Sequence, residues 1–298
     1  MQVTSHKNIS LLEAQRYCRR LARAHYENFT VGSLLLPREL RQHVYNVYAY
    51  ARVADDFADE LLSDEESLAK LTDWEHKLEA CYQGETDHPV FVALADTIQQ
   101  FQIPITPFLS LLRAFRQDRM VKCYSTFNDL LGYCQNSANP VGHIFLHLFR
   151  YRDPALVPYA DAICTALQLT NFWQDIPVDL QKGRIYIPLE DMTSFGYSET
   201  ELTQHIYNEN FRRLLEFEVE RTQELFDRGK GLIPRVGKDI KLEIRLFISG
   251  GESILQALRK NQYDVFRRRP KLSKLQKMTL LAKNTVGIKF QRYICKAH

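Results

Sequence analysis

Glycine is scarce in this chain, at 12 of 298 residues, and no Asn-Gly or Asp-Gly pair joins two apolar runs. Tight hairpins lack their usual turn chemistry, which argues against an all-β fold. A charge excess is also missing. Thirty-nine basic residues face 36 acidic ones, for a net +3, so the composition gives no footprint for nucleic acid. The six cysteines, at 18, 81, 123, 134, 164 and 295, never form a CxxC pair, which removes a zinc ribbon or a dithiol redox motif. Dispersed in this way they read as reduced thiols of a cytoplasmic protein. No run approaches the roughly 18 apolar residues that span a bilayer. Residues 1–13 lack a basic segment followed by an apolar one, so no signal peptide is expected. Any membrane contact is then peripheral, at the inner face.

What the chain does have is helical periodicity. Apolar residues make up 45% of it, enough for a large core. Helical patterns cover about 10–27, 38–62, 65–82, 88–101, 107–120, 126–135, 140–150 and 154–180. Ser63, three residues before Glu66, is a candidate N-cap for the third of these. Residues 182–189, with Gly183 and Pro188, read as a loop. The stretch 198–231 reads as one long charged helical segment, followed by helices over about 237–264 and 271–294. Without repeats or a linker, the expectation is one all-α domain over residues 1–298.

Two acidic motifs stand out. In Arg52-Val-Ala-Asp55-Asp56-Phe-Ala-Asp59, the acids Asp55 and Asp59 are four residues apart and emerge on one helix face. Steps of about 3.6 residues from Val44 through Val47/Tyr48 and Ala51 reach Asp55, which places the acid on an apolar stripe rather than a solvated one. The second motif lies in a helix that is apolar around most of its circumference, through Ile163, Ala166, Leu169, Phe172, Trp173 and Ile176. Along one line of it fall Gln168, Asn171, Asp175 and Asp179. A polar stripe on a buried helix must face something polar. Two facing carboxylate pairs would repel strongly unless divalent cations intervened, and magnesium suits carboxylates that share it with phosphate oxygens. Pro177, inside this motif, is expected to kink the helix near Trp173.

His143 and His147, at i and i+4, lack the intervening catalytic Glu of the zinc protease motif and any evident third ligand, so packing or cavity lining is the better reading. The basic run Arg267, Arg268, Arg269, Lys271, Lys274 and Lys277 is mostly a solvated stretch that could also favour an anionic membrane surface.

These motifs in this order resemble the squalene/phytoene synthase family. The carriers are Leu36-Pro37 with Arg41, Tyr48-Ala-Tyr50-Ala-Arg52-Val-Ala-Asp55-Asp56, and Ala114-Phe115-Arg-Gln117-Asp118. Further along come Gln168-Leu-Thr-Asn171-Phe-Trp-Gln174-Asp175, Gly183-Arg184-Ile-Tyr186-Ile-Pro188 and Tyr263-Asp264-Val265. The resemblance implies an isoprenoid synthase-type helical bundle around a central cavity and a prenyl diphosphate substrate. It implies that Asp55, Asp59, Asp175 and Asp179 bind Mg²⁺ through several ions, and that Arg52, Gln168, Asn171 and Arg268 reach the diphosphate. Phe29, Phe145 and Phe172 lie beside motif positions and are candidates to line the cavity, where an aromatic face can stabilise a carbocation.

Within the family, His25-Tyr-Glu-Asn28-Phe29, Asn136-Ser-Ala138-Asn139-Pro140 and Asn171-Phe-Trp173-Gln174-Asp175 resemble the hopanoid-pathway hydroxysqualene synthase branch. Two-step synthases carry a Tyr near Gln135 or Asn136 and an Arg where this chain has Gln174. Both departures point away from self-condensation of two farnesyl diphosphates. The implied reaction is presqualene diphosphate plus water to hydroxysqualene and diphosphate, without NADPH. Asn136, with Asn139, stands near the reacting end by resemblance and could hold the water; Asn139 could equally cap the Pro140 helix. Partner enzymes would supply presqualene diphosphate and use hydroxysqualene. The alternatives are a complete squalene or phytoene-type synthase and a catalytically inactive assembly protein of the same fold.

Overall fold

Capping side chains set where several helices start. In the computed structural model, which describes residues 9–24, 36–59 and 63–272 with Thr279 and Asn284, Ser63 and Glu66 form a reciprocal capping box at the head of one helix. Thr126 with Asp129, and Ser198 with Glu201, repeat the device. Of Asp59 only the backbone is described.

The helices are α1 Leu11–Ala24, α2 Arg38–Asp59, α3 Asp64–Tyr82, α4 Pro89–Phe101, α5 Thr106–Met120, α6 Phe127–Ser137 and α7 Asn139–Leu148. They continue as α8 Val157–Gln181, α9 Leu189–Ser194, α10 Glu199–Thr203, α11 Glu209–Gly229 and α12 Lys238–Lys260. Short 3-10 turns, Pro154–Leu156 and Lys230–Arg235, precede α8 and follow α11. No strand forms among the described residues; one isolated bridge joins Cys123 to Ile185. The fold is all-α.

The chain separates into two compact units, Met1–Met120 with His143–Arg152, and Val121–Gly142 with Asp153–His298. In the first, α2 packs against α1, α3, α4 and α5. Tyr50, Phe91, Phe108 and Trp74 form its aromatic centre, with the Tyr50 hydroxyl donating to the Phe108 carbonyl at 3.1 Å. Buried Asn46 donates to the Ala93 carbonyl and to Thr97, so this polar residue of the core is satisfied.

In the second unit α8 packs against α6, α11 and α12. Close approach depends on two glycines. A Cβ on Gly229 would fall 2.5 Å from Ile163, and one on Gly251 would fall 2.3 Å from the Phe226 ring. Trp173, fully buried, donates its indole N–H to Thr222 at 2.8 Å and ties α8 to α11.

Two expectations are revised. The 198–231 stretch is not one helix: α10 ends at Thr203, and α11 starts afresh where Asn208 caps the Phe211 N–H at 2.9 Å. The core face of α2 runs through Asn46, Tyr50, Ala54 and Ala58, so Asp55 lies at its edge and not on its centre line. Helix α8 contains Pro177 and ends at Gln181. The parts of the expected helices at 25–27 and 60–62, and nearly all of 271–294, lie outside the described residues, as does Phe29.

Candidate active site

The first motif occupies the last turns of α2. Helix ends leave carbonyls unpaired. Here the Ser67 hydroxyl donates to the Phe57 carbonyl at 2.6 Å, and Arg119 donates to the Ala58 carbonyl at 3.0 Å while pairing with Asp64 at 2.7 Å. These bonds fix the end of the helix on which Asp55 and Asp56 stand. Arg52, one turn earlier, donates to Asp55 at 3.0 Å and pairs with Asp56. The motif therefore carries its own counter-ion.

The second motif lies on α8. One side of the helix is buried, through Ala162, Ile163, Ala166, Leu169, Phe172, Trp173 and Ile176. Gln168, Asn171, Asp175 and Asp179 fall along its less buried side, with Asn171 exposed. Burial, and then the charge of Asp175, push the Asp179 carboxyl up to about 7; Arg184, Lys182 and Arg269 pull the other way. Asp179 borders a small pocket lined also by Phe172, Ile176, Leu180, Arg184 and Tyr186.

That pocket owes its shape to the loop after α8. Gly183 takes a left-handed φ of 67°, and the loop is then pinned to the segment before α6, with the Ile185 N–H donating to the Lys122 carbonyl at 2.7 Å and the Leu189 N–H to that of Tyr124 at 3.0 Å. Tyr186 stacks on Phe172, centroids 3.7 Å apart, and this pair abuts Tyr133 and Tyr124. Behind the loop, Arg221 bridges Asp191 at 2.6 Å and the fully buried Glu218 at 2.6 and 2.7 Å, with its guanidinium 3.5 Å from the Phe127 ring centroid. Burial raises the Glu218 carboxyl to about 8 against the pull of Arg221.

The remaining candidates are distributed as follows. Asn136, half-buried on α6, donates its amide to the Gly132 carbonyl at 3.3 Å. Asn139 is 6% exposed, and its side-chain oxygen accepts from Thr165 at 2.9 Å, which seats the start of α7 on α8. Phe145, in the first unit, is half-buried against Phe149.

The basic run contributes a residue that the sequence did not single out. Arg269, and not Arg268, grips Asp175, with Nη2 2.7 Å from one carboxylate oxygen and Nε bonded to the other. Arg268 is exposed, and its carbonyl accepts from Asn261 at 3.4 Å. Gln174 is buried, and its amide donates to the Pro270 carbonyl. Three arginines in a row outside a helix have no periodicity, so only the structure sets their register.

Asp175 and Asp179 present oxygen donors only. Among the described residues no group of three or more His, Cys, Asp or Glu gathers. A pair of carboxylates in partly buried surroundings, one of them driven toward protonation, suits a hard divalent cation that takes its other ligands from water and phosphate. Soft thiol or imidazole ligation is not offered there.

Residues 22–276 match the squalene/phytoene synthase family model. The crystal structure of squalene synthase HpnC from Alicyclobacillus acidocaldarius superposes with a TM-score of 0.82 at 42% identity, covering 85% of this chain and 95% of that one. A dehydrosqualene synthase in complex with ligand gives 0.85 at 29% identity over 94% of this chain and 98% of that one. The 15-cis-phytoene synthase of Synechococcus elongatus is 31% identical over 272 residues, 87% of this chain and 88% of the relative. The chain belongs to the squalene/phytoene synthase family, whose members act on prenyl diphosphates and generally depend on divalent metal.

Proposed function

We propose that this enzyme converts presqualene diphosphate and water to hydroxysqualene and diphosphate, as one catalytic domain that uses Mg²⁺ and no NADPH. Asp55, Asp59, Asp175 and Asp179 hold the metal, and Arg52, Gln168, Asn171 and Arg268 address the diphosphate. Bound magnesium would supply positive charge for the departing diphosphate. The chain's own residues do the rest. Loss of diphosphate leaves a cyclopropylcarbinyl cation that rearranges to an allylic cation. Asn136 already donates to the Gly132 carbonyl, and its amide oxygen can accept a hydrogen bond from the water that quenches this cation, with the proton released on C–O bond formation passing to the departed diphosphate.

The observation that carries the reading is the use made of Gln174. Where two-step synthases carry an arginine, this chain has a neutral amide, buried and engaged with the Pro270 carbonyl. A side chain so engaged adds no charge for a first condensation of two allylic diphosphates. The 42% identity to squalene synthase HpnC over most of both chains supports a squalene-type carbon skeleton. Phytoene synthase relatives at 30–31% identity favour the second reading, a complete head-to-head synthase. An enzyme of the hydroxysqualene kind depends on a partner that supplies presqualene diphosphate and another that consumes the alcohol. The prenyl chains of substrate and product are very apolar, which favours peripheral contact with a membrane; no described helix is long and apolar enough to cross one.

Product analysis separates the two readings. Purified protein with Mg²⁺ is offered farnesyl diphosphate or presqualene diphosphate, with and without NADPH, and extracted lipids are identified by mass spectrometry. Hydroxysqualene from presqualene diphosphate alone supports the first. Presqualene diphosphate, squalene or a phytoene-type hydrocarbon made from an allylic diphosphate supports the second.

A further inference from the structure

We propose that Arg269 is a transferable counter-ion. It neutralises Asp175 in the metal-free protein and passes to the substrate's diphosphate when that carboxylate is claimed by a divalent cation. The proposal rests on the reading of α8 as a metal–diphosphate site, and deepens it.

Two observations carry it. First, Arg269 engages both oxygens of Asp175, in the side-on arrangement that carboxylate and phosphate share. A guanidinium and a divalent cation on one carboxylate repel each other, so the arginine must yield as the cation arrives. Second, the guanidinium is free to turn while its backbone is not. The Arg269 side chain is 41% exposed and lies beyond the end of α12, in no helix. The Gln174 amide holds the Pro270 carbonyl, next in sequence. Upstream, Tyr263 and Val265 are buried, Phe266 stacks on Phe211 at 4.7 Å and on His205 at 5.0 Å, and the Tyr207 hydroxyl donates to the Gln262 carbonyl at 2.7 Å. The displaced group would then find in the diphosphate a partner of the same geometry, since diphosphate oxygens accept a guanidinium side-on as a carboxylate does.

The arrangement makes metal and diphosphate binding interdependent. Metal alone must displace Arg269, which weakens its binding. Diphosphate with metal recruits the released arginine, which strengthens both. Gln174 is then a positioning residue, because it keeps the strand of chain that carries Arg269 beside Asp175.

The test uses the full chain stripped of metal, with Mn²⁺ followed by electron paramagnetic resonance and inorganic pyrophosphate by calorimetry. The variants are Arg269→Gln and, as control, Arg267→Gln, whose side chain has no part in the exchange. For Arg269→Gln the expected result is Mn²⁺ bound about threefold or more tighter in the absence of pyrophosphate, because its competitor for Asp175 is gone. Pyrophosphate in saturating metal should bind about tenfold more weakly, for loss of one bidentate arginine. A metal affinity no tighter than wild type, or a pyrophosphate affinity within about twofold of it, overturns the exchange. Absence of joint metal and pyrophosphate binding in the wild type overturns the metal–diphosphate reading itself, whatever the variant does.

Discussion

Replacing Asp179 by Asn should stabilise the metal-free protein and abolish turnover. Asp179 borders the pocket of the second unit, and burial with the Asp175 charge displaces its carboxyl from 3.8 to about 7. A raised value means that the native chain holds this proton more tightly than the unfolded chain does. The associated stability is complete below about pH 4 and is lost as pH rises to about 7. Taken at face value the displacement corresponds to about 4 kcal/mol above pH 7. The carboxyl keeps some water and has Arg184, Lys182 and Arg269 nearby, so about 1–2 kcal/mol is the better expectation. Asparagine keeps the shape and removes the charge. In EDTA at pH 8 its melting temperature should rise by about 2–6 °C over wild type. The advantage should vanish by about pH 4, where the native carboxyl is protonated in the wild type as well. Differential scanning calorimetry from pH 4 to 8 reads the difference directly. A variant no more stable at pH 8, or one whose advantage is the same at pH 4, refutes the electrostatic reasoning. Near-wild-type turnover refutes the assignment of Asp179 to the site.

Two further outcomes test the scaffold beneath the site. Arg221→Met leaves Glu218 and Asp191 without their shared cation and should cost about 3–5 kcal/mol in chemical denaturation, whereas adding Glu218→Gln and Asp191→Asn to that change should recover most of it; a cost under about 1 kcal/mol contradicts the bridge. Gly251→Ala places a methyl 2.3 Å from the buried Phe226 ring and should destabilise by about 1–2 kcal/mol despite alanine's better helix propensity, with an unchanged melting temperature counting against the close crossing of α12 and α11.

Periodicity and capping chemistry are local, and where they decide the structure the sequence was legible. Ser63 with Glu66 begins α3 as the spacing predicts. The loop between Gly183 and Pro188 lies where those residues announce it. Charge on a helix face was harder to interpret. Glu218 and Arg221 look like a solvated i,i+3 pair in a charged stretch, yet Glu218 is in phase with Phe211, Leu215 and Thr222, all buried, and that phase was the available signal. The phase of α2 was misjudged by one residue because Asn46 at its core is polar and the half-buried Val47 and Tyr48 are apolar. Non-local pairing was not legible at all. Arg269 meets Asp175 and Pro270 meets Gln174 across some ninety residues, and neither partner has a spacing that points to the other.

The central claim concerns the fate of the cation, and oxygen-18 water tests it most directly. Presqualene diphosphate turned over with Mg²⁺ in H₂¹⁸O, without NADPH, should give hydroxysqualene carrying one ¹⁸O at its alcohol, and Asn136→Leu should shift the product toward hydrocarbons formed by elimination or rearrangement. Squalene as the main product, formed only when NADPH is added and free of the label, would contradict the account.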